Sequence, residues 1–209
     1  MRRWLLLHVG FLAVLAPALG ACGTMSGTAH DFTSKGWSGG QLCAVCHTPH
    51  AADITSVKGA PLWGHKTTSA SYTLYSSPTL TAQLSQPTHA GSKLCLSCHD
   101  GTVALDSFGG AAGSTFMTGT PLIGTDLRGN HPIGLVYDSA LASVDKGLWN
   151  PDTKTTALGN TITRDLLFGT GNLECASCHD VHNAASAGNS HLLRVTNDGS
   201  ALCLTCHNK

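Results

Sequence analysis

One five-residue pattern occurs four times in this chain of 209 residues. Each copy has two cysteines separated by two other residues and followed directly by a histidine. The copies, here called frames 1 to 4, are Cys43-Ala-Val-Cys46-His47, Cys95-Leu-Ser-Cys98-His99, Cys175-Ala-Ser-Cys178-His179 and Cys203-Leu-Thr-Cys206-His207. Because the frames take up all but one of the nine cysteines, they constrain the fold more than any other feature.

The Cys-x-x-Cys-His pattern is the attachment signature of c-type haem. Two thiols at this spacing reach the two vinyl groups of one porphyrin, and the adjacent histidine becomes the proximal ligand of the iron. Two other interpretations compete: all-thiolate zinc sites built from paired Cys-x-x-Cys units, and local disulfides of an exported protein. Neither explains a histidine after every second cysteine, so the sequence predicts four covalently attached haem c groups.

The composition favours a core that side chains alone do not make. Aromatic residues form 6% of the chain and charged residues 11%, while glycine occurs 24 times. Such a chain buries little apolar surface to offset its ordering entropy, so porphyrins would supply the missing apolar mass. Basic and acidic residues number twelve each, a balance that argues against nucleic-acid binding. We expect a mostly irregular fold with few short strands and a short helix at each frame, organised around a stacked haem chain.

The second axial ligand decides whether a haem iron transfers electrons or binds a substrate. Beyond the initiator, the chain has two methionines, Met25 and Met117, too few for four irons. Histidine is therefore expected on both sides of each iron. In frames 1 and 3 a further histidine follows three residues after the proximal one, on the same face of a helical turn. The predicted distal ligands are His50, His182, His131 and His30, with His65 competing for the last place.

An internal repeat divides the chain into two halves. Residues 91–99 and 199–207 are identical at seven of nine positions. Frames 1 and 3 in turn share the extended Cys-x-x-Cys-His-x-x-His pattern, so each half consists of one extended frame followed by one plain frame. The predicted organisation is an export signal over residues 1–22 and a tetrahaem domain over residues 23–209, with di-haem halves at about 30–108 and 131–209.

The N-terminal segment has the features of an export signal. Arg2 and Arg3 precede an apolar run of sixteen residues, which is shorter than the roughly 20 that span a bilayer. Its ending, Leu-Gly-Ala-Cys22, is typical of a bacterial lipoprotein signal with Cys22 as the lipidated residue, and ordinary cleavage after Gly20 or Ala21 is the alternative. Either processing predicts an exported protein, extracellular or at the outer membrane, with the periplasm as the alternative location.

Further motifs extend the pattern over nearly all of the mature chain. They are His30-Asp-Phe, Cys-His-Thr-Pro-His50, Pro61-Leu-Trp, residues 95–103, His131-Pro-Ile and the C-terminal Leu-Cys-Leu-Thr-Cys-His-Asn-Lys. With these motifs the chain resembles the tetrahaem outer-membrane cytochromes of the E type, within the multihaem c-type cytochromes of metal-reducing bacteria.

That resemblance implies an electron-transfer protein, not an enzyme, whose haems stack in a chain and whose subunits polymerise into extracellular nanowires. In such filaments a neighbouring subunit can donate a distal histidine, a role that would suit His30. A lipid anchor at Cys22 departs from this pattern and favours a monomer on the outer membrane. The expected partners are other redox proteins or extracellular electron acceptors.

One functional alternative remains at this stage. A multihaem oxidoreductase acting on nitrite or hydroxylamine would need one iron with an open face. The spare histidines of this chain argue against such an open face.

Overall fold

The computed structural model describes residues 25–55, 57, 59–185 and 188–209. The expected export signal, with Cys22, lies outside the described residues. Among the described helices, none combines the length and the apolar character needed to cross a membrane.

Regular structure is sparse. The α-helices are α1 (Ala90–His99), α2 (Ser139–Val144), α3 (Ile162–Asp165), α4 (Cys175–Cys178) and α5 (Ala201–Cys206), and short 3-10 turns lie at Thr33–Lys35, Ser190–Leu192 and Asp198–Ser200. Strands β1 (Leu135–Val136) and β2 (Asn172–Leu173) pair antiparallel, with Leu135 opposite Leu173. This confirms the expected loop-rich fold with short helices and few strands.

The last three frames lie on helices, as expected. Frame 2 ends α1, frame 4 lies on α5, and the two cysteines of frame 3 bound α4. Each of these helices ends at the second cysteine or at the histidine of its frame. The α4 helix is preceded by a capping box, in which the Ser177 hydroxyl accepts from the Glu174 backbone N–H at 2.9 Å.

Frame 1 forms a turn, so the expectation of a helix there is wrong. The turn is closed by the backbone N–H of His47, which donates to the carbonyl of Cys43 at 2.9 Å. Gly39 and Gly40 precede the frame with φ values of 61° and 80°, outside the helical region. Pro49 follows it and disfavours helical dihedrals at the residue before. A helix therefore has no room to extend on either side.

The buried side chains form two small clusters. The larger packs α3 against the β1–β2 pair and is centred on Ile162 and Leu167, both fully buried. The smaller contains Tyr72, Leu96 and Leu127 around the middle of α1. A split core of this size agrees with the low aromatic content of the sequence.

Helices α1 and α4 pack directly on each other and bring frames 2 and 3 together. Ser92, which has no exposed surface, donates its hydroxyl proton to the Glu174 carboxylate. The same oxygen accepts from the backbone N–H of Cys175 at 3.0 Å. The close approach favours glycine at Gly91, since a Cβ there would lie 3.0 Å from the Cβ of Glu174. The two frames are thus fixed side by side by a buried hydrogen-bond network.

Candidate functional site

Each frame is held by a short segment of irregular chain that hydrogen-bonds to its backbone, here called its backing segment. The backing segments of frames 1 to 4 are residues 61–64, 121–124, 191–194 and 147–149. In frame 1, Thr48 donates its N–H to Leu62 and Gly64 donates to Cys46, at 2.9 and 2.8 Å. The bonds of frame 4 include that from Trp149 N–H to the carbonyl of Cys206, at 2.9 Å.

Frame 3 repeats the arrangement of frame 1. Asp180 donates its N–H to Leu192 and Arg194 donates to Cys178, both at 2.8 Å. In frame 2 the carbonyl of His99 accepts from Ile123 at 2.7 Å. In frames 1, 3 and 4 the backing segment therefore bonds to the residues on both sides of the proximal histidine, and in frame 2 it bonds to the carbonyl of that histidine.

The backing segments also set the tautomer of three proximal histidines. Each Nδ1 faces a backbone carbonyl of the segment: His47 with Pro61 at 2.7 Å, His99 with Pro121 at 2.8 Å, and His179 with His191 at 2.9 Å. A carbonyl oxygen only accepts, so Nδ1 carries the proton and Nε2 keeps its lone pair. This is the tautomer of a metal-binding imidazole whose orientation is fixed by its other nitrogen.

Three proximal imidazoles face a second imidazole across a constant gap. The ring centres of His47 and His182 are 6.1 Å apart, those of His99 and His30 are 6.1 Å apart, and those of His207 and His131 are 6.3 Å apart. An imidazole nitrogen about 2.0 Å from a metal places the ring centre about 3.1 Å from it, so two imidazoles on opposite sides have centres about 6.2 Å apart. The ring-centre distances of the three pairs therefore match those of two imidazoles bound to one iron.

The electrostatics of His30 fit a ligand. Burial, with further contributions from His99, His179 and His182, lowers the pKa of His30 to about 4. Its buried Nδ1 has no hydrogen-bond partner among the described residues. His30 is therefore neutral at physiological pH, the form that binds a metal. Burial and the neighbouring His131 likewise lower the pKa of His207.

Three of the predicted distal histidines thus lie opposite a proximal one in the same chain, namely His182, His131 and His30. The position of His30 opposite His99 does not require a neighbouring subunit. These contacts do not test ligation itself, which stays a prediction for all of them.

The fourth proximal histidine, His179, is placed differently. It is exposed, and in the described part of the chain no second imidazole faces it at the spacing of the other pairs. His50, the remaining predicted partner, is also exposed and borders an open cavity of about 490 Å³.

His65, the competing candidate, is 3% exposed. Its Nδ1 contacts the carbonyl oxygen of Lys66 at 2.8 Å, and its Nε2 contacts that of Leu105 at 3.2 Å. The Cys98 thiol lies 3.8 Å from Nε2. The structure therefore places His65 beside Cys98 of frame 2, with both of its ring nitrogens in contact with backbone carbonyls.

Seven of the eight frame cysteines are partly buried, and Cys203 is exposed. Burial raises the pKa of Cys46 to about 11 and that of Cys206 to about 12. The thiols of successive frames are close enough to interact electrostatically: Cys46 with Cys98, Cys95 with Cys175, and Cys178 with both Cys203 and Cys206. Frames 1, 2, 3 and 4 are therefore neighbours in space in the order of the sequence.

Sequence reasoning missed the backing segments. A weak signal was present, because frames 1 and 2 are both followed by a Pro-Leu pair at residues 61–62 and 121–122. One of these segments contributes the backbone carbonyl of His191, which accepts from the His179 ring. Backbone carbonyls leave no trace in residue type, so this role was not readable from the sequence.

Among curated proteins, none matches the chain significantly. Residues 167–209, which contain frames 3 and 4, match the family model of the doubled CXXCH motif. The motif indicates covalently bound haem c and the electron transfer of c-type cytochromes. This segment thus carries a family motif that supports a multihaem c-type cytochrome.

Proposed function

We propose that this chain is a tetrahaem c-type cytochrome that transfers electrons through closely spaced bis-histidine haems. The observation that carries the proposal is the set of three imidazole pairs, each with a gap that fits one iron. A bound haem c supplies a one-electron iron couple.

The residues of the chain have separate tasks in this function. The eight frame cysteines form the thioethers, and the four proximal histidines bind the irons on one side. His182, His30 and His131 bind three of the irons on the other side and close them to substrate. The backing segments hold three of the proximal rings in one orientation, so little rearrangement accompanies each change of iron charge at those sites.

The order of the frames in space supports a relay. Because each frame neighbours the next, an electron that enters at one end has a continuous series of sites to the other end. A general acid or base is not needed for this task.

The cellular setting is also a proposal. The leader, with its cleavage region at residues 19–22, supports export to the cell surface, as an extracellular protein or one anchored at the outer membrane through Cys22. We propose other redox proteins or extracellular acceptors as partners, and polymerisation into a filament as one assembly state.

The fourth iron decides between electron transfer alone and the alternative function. His50 is the candidate for its second ligand, because His50 and His182 hold equivalent places in the two extended frames, and His182 lies opposite the proximal histidine of the other frame. Both His50 and His179 are exposed, so the imidazole can come from the same chain or from a second copy. The exposed His179 is also the observation that favours the alternative, a nitrite- or hydroxylamine-type oxidoreductase with one open haem.

Carbon monoxide binding to the reduced holoprotein tests the proposal. A bis-histidine protein gives no change in its absorption spectrum on exposure to carbon monoxide at any protein concentration. A ligand donated by a second copy gives binding that appears on dilution, together with filaments or oligomers in negative-stain images. One carbon monoxide per chain at every concentration would overturn the four-fold bis-histidine assignment and favour the oxidoreductase.

A further inference from the structure

The residue directly after each proximal histidine differs between the frames. It is neutral in frames 1 and 4, where Thr48 and Asn208 stand, and acidic in frames 2 and 3, where Asp100 and Asp180 stand. Both aspartates are buried. A buried charge one residue from an iron ligand acts on that site through a medium that screens it poorly.

Asp100 is a buried carboxylate that is 4% exposed. It accepts four hydrogen bonds: from the hydroxyls of Thr68 and Tyr72 at 2.7 Å each, and from the backbone N–H and hydroxyl of Thr102 at 2.7 and 2.8 Å. All four partners donate, which is the pattern that an ionised carboxylate accepts. No lysine, arginine or histidine of the described residues forms an ion pair with it.

The negative charge of Asp100 reaches the frame itself. Asp100 directly follows the proximal histidine, and its backbone N–H donates to the carbonyl of Leu96, inside frame 2, at 2.9 Å. Thr68, which donates its hydroxyl to Asp100, also donates its backbone N–H to the Ser97 hydroxyl of the same frame at 3.0 Å. The carboxylate is therefore a fixed negative charge beside the frame 2 haem site.

Frame 3 has a cation where the first two frames have none. The backing segments of frames 1 and 2 have glycine at their fourth position, Gly64 and Gly124, and that of frame 3 has Arg194. The Arg194 Nε donates to the carbonyl of Ala176, inside frame 3, at 2.8 Å. Its guanidinium also lies 4.8 Å from the centre of the Phe168 ring.

The charge of Arg194 beside frame 3 has the opposite sign to that of Asp100 beside frame 2. One guanidinium nitrogen lies 3.9 Å from the Asp180 carboxylate, so the acidic residue of this frame is balanced by a cation. Through its bond to Ala176, Arg194 is a fixed positive charge beside the frame 3 haem site.

We propose that Asp100 and Arg194 bias two neighbouring haem sites in opposite directions, so that frame 2 has a lower reduction potential than frame 3. An oxidised haem iron carries one more positive charge than a reduced one. A fixed negative charge therefore favours the oxidised state and lowers the potential, and a fixed positive charge raises it. Since α1 and α4 hold these frames in contact, the difference drives electrons from frame 2 to frame 3.

This inference rests on the proposed function, because it requires haem at both frames. The test uses the holoprotein and its Asp100→Asn and Arg194→Gln variants, after haem content has been measured in each. Stepwise reduction is followed by NMR of the haem methyl signals, assigned through their contacts with the side chains of each frame.

Asp100→Asn is expected to shift the frame 2 step to higher potential, and Arg194→Gln to shift the frame 3 step to lower potential. The charge-preserving variants Asp100→Glu and Arg194→Lys should keep reduction potentials close to those of the wild type. If the two residues only held the local structure in place, these variants would shift the potentials as well. Tyr72→Phe removes a hydrogen-bond donor but keeps the charge, so it should not raise the frame 2 step.

This inference is overturned, and the proposed function is left intact, if both charge-neutralising variants hold four haems and neither shifts its reduction step. So would shifts of both steps in the same direction. A wild-type protein without haem at frames 2 and 3 would instead overturn the proposed function.

Discussion

The imidazoles of His47 and His182 lie in nearly parallel planes, 17° apart, with their ring centres separated by 6.1 Å. His47 is the proximal histidine of frame 1, whereas His182 follows frame 3 in the other half of the chain. A single iron site would therefore take one ligand from each half. The two halves identified by the repeat are joined by at least this contact and by the packing of α1 on α4.

Replacing His182 with alanine tests this link. The haem of frame 1 stays attached through its thioethers, but its iron loses the second imidazole and one face opens. We expect the reduced variant to bind one more carbon monoxide per chain than the wild type. His89→Ala is the matched control, because His89 is exposed and lies opposite no other imidazole in the described structure. Equal carbon monoxide binding by the His182 variant and the wild type would contradict the assignment.

The haem-binding pattern was readable from the sequence because attachment depends on local spacing. Two thiols with two residues between them and an adjacent histidine are specified within five residues. The loop-rich fold was also predictable, because the aromatic content is low and glycine is frequent. The extra histidine of frames 1 and 3 singled out His182, which the structure places opposite His47.

The partners of the proximal rings were not readable in the same way. The carbonyls that hold His47, His99 and His179 are 14, 22 and 12 residues away in the chain. Such a bond depends on where the chain returns after the frame, and no residue type encodes a backbone carbonyl. The turn at frame 1 was missed for a related reason, because glycines before it and a proline after it override the local preference for a helix.

The buried network between α1 and α4 makes a prediction for Ser92. Its hydroxyl donates to the Glu174 carboxylate and accepts from the Cys175 N–H. Ser92→Ala leaves both groups buried without that partner, which should lower the free energy of unfolding of the holoprotein by about 1–3 kcal/mol. Ser143→Ala, which removes an exposed hydroxyl bonded to a carbonyl three residues back, is the control and should change it by much less. Denaturant unfolding followed by Soret absorbance measures both.

Glu174 makes a prediction about pH. Burial raises the pKa of this carboxyl above its usual value of 4.5, so the folded state holds the proton more tightly than the unfolded chain. The ionised form of Glu174 therefore destabilises the folded state. The resulting loss in the free energy of unfolding grows as the pH rises from 4.5 through the folded-state pKa. Glu174→Gln cannot ionise, so it should be more stable than the wild type at neutral pH.

The advantage of Glu174→Gln should shrink as the pH falls towards 4.5. Melting temperatures of the two holoproteins across this range give the measurement, with the exposed Asp152→Asn as control. A difference that does not depend on pH would show that the carboxyl is not destabilised by its burial.

Gly134 tests the close approach of two chain segments. Its φ is 73°, and a Cβ there would lie 2.5 Å from the carbonyl oxygen of Ser85. An alanine in the left-handed region costs about 1–2 kcal/mol, and the clash with the backbone adds to this. Gly39→Ala is the matched control, since its φ is 61° and nothing lies within 4 Å of the added Cβ. Gly134→Ala should lower the free energy of unfolding by more than the control, and equal losses would refute the close contact.

The intact mass of the purified mature protein shows whether all four frames hold a covalent haem. The expected mass is that of the processed polypeptide plus four haem groups, and it should persist under denaturing conditions that remove non-covalent cofactors. A mass with fewer than four haems, or that of the bare polypeptide, would rule out a tetrahaem cytochrome.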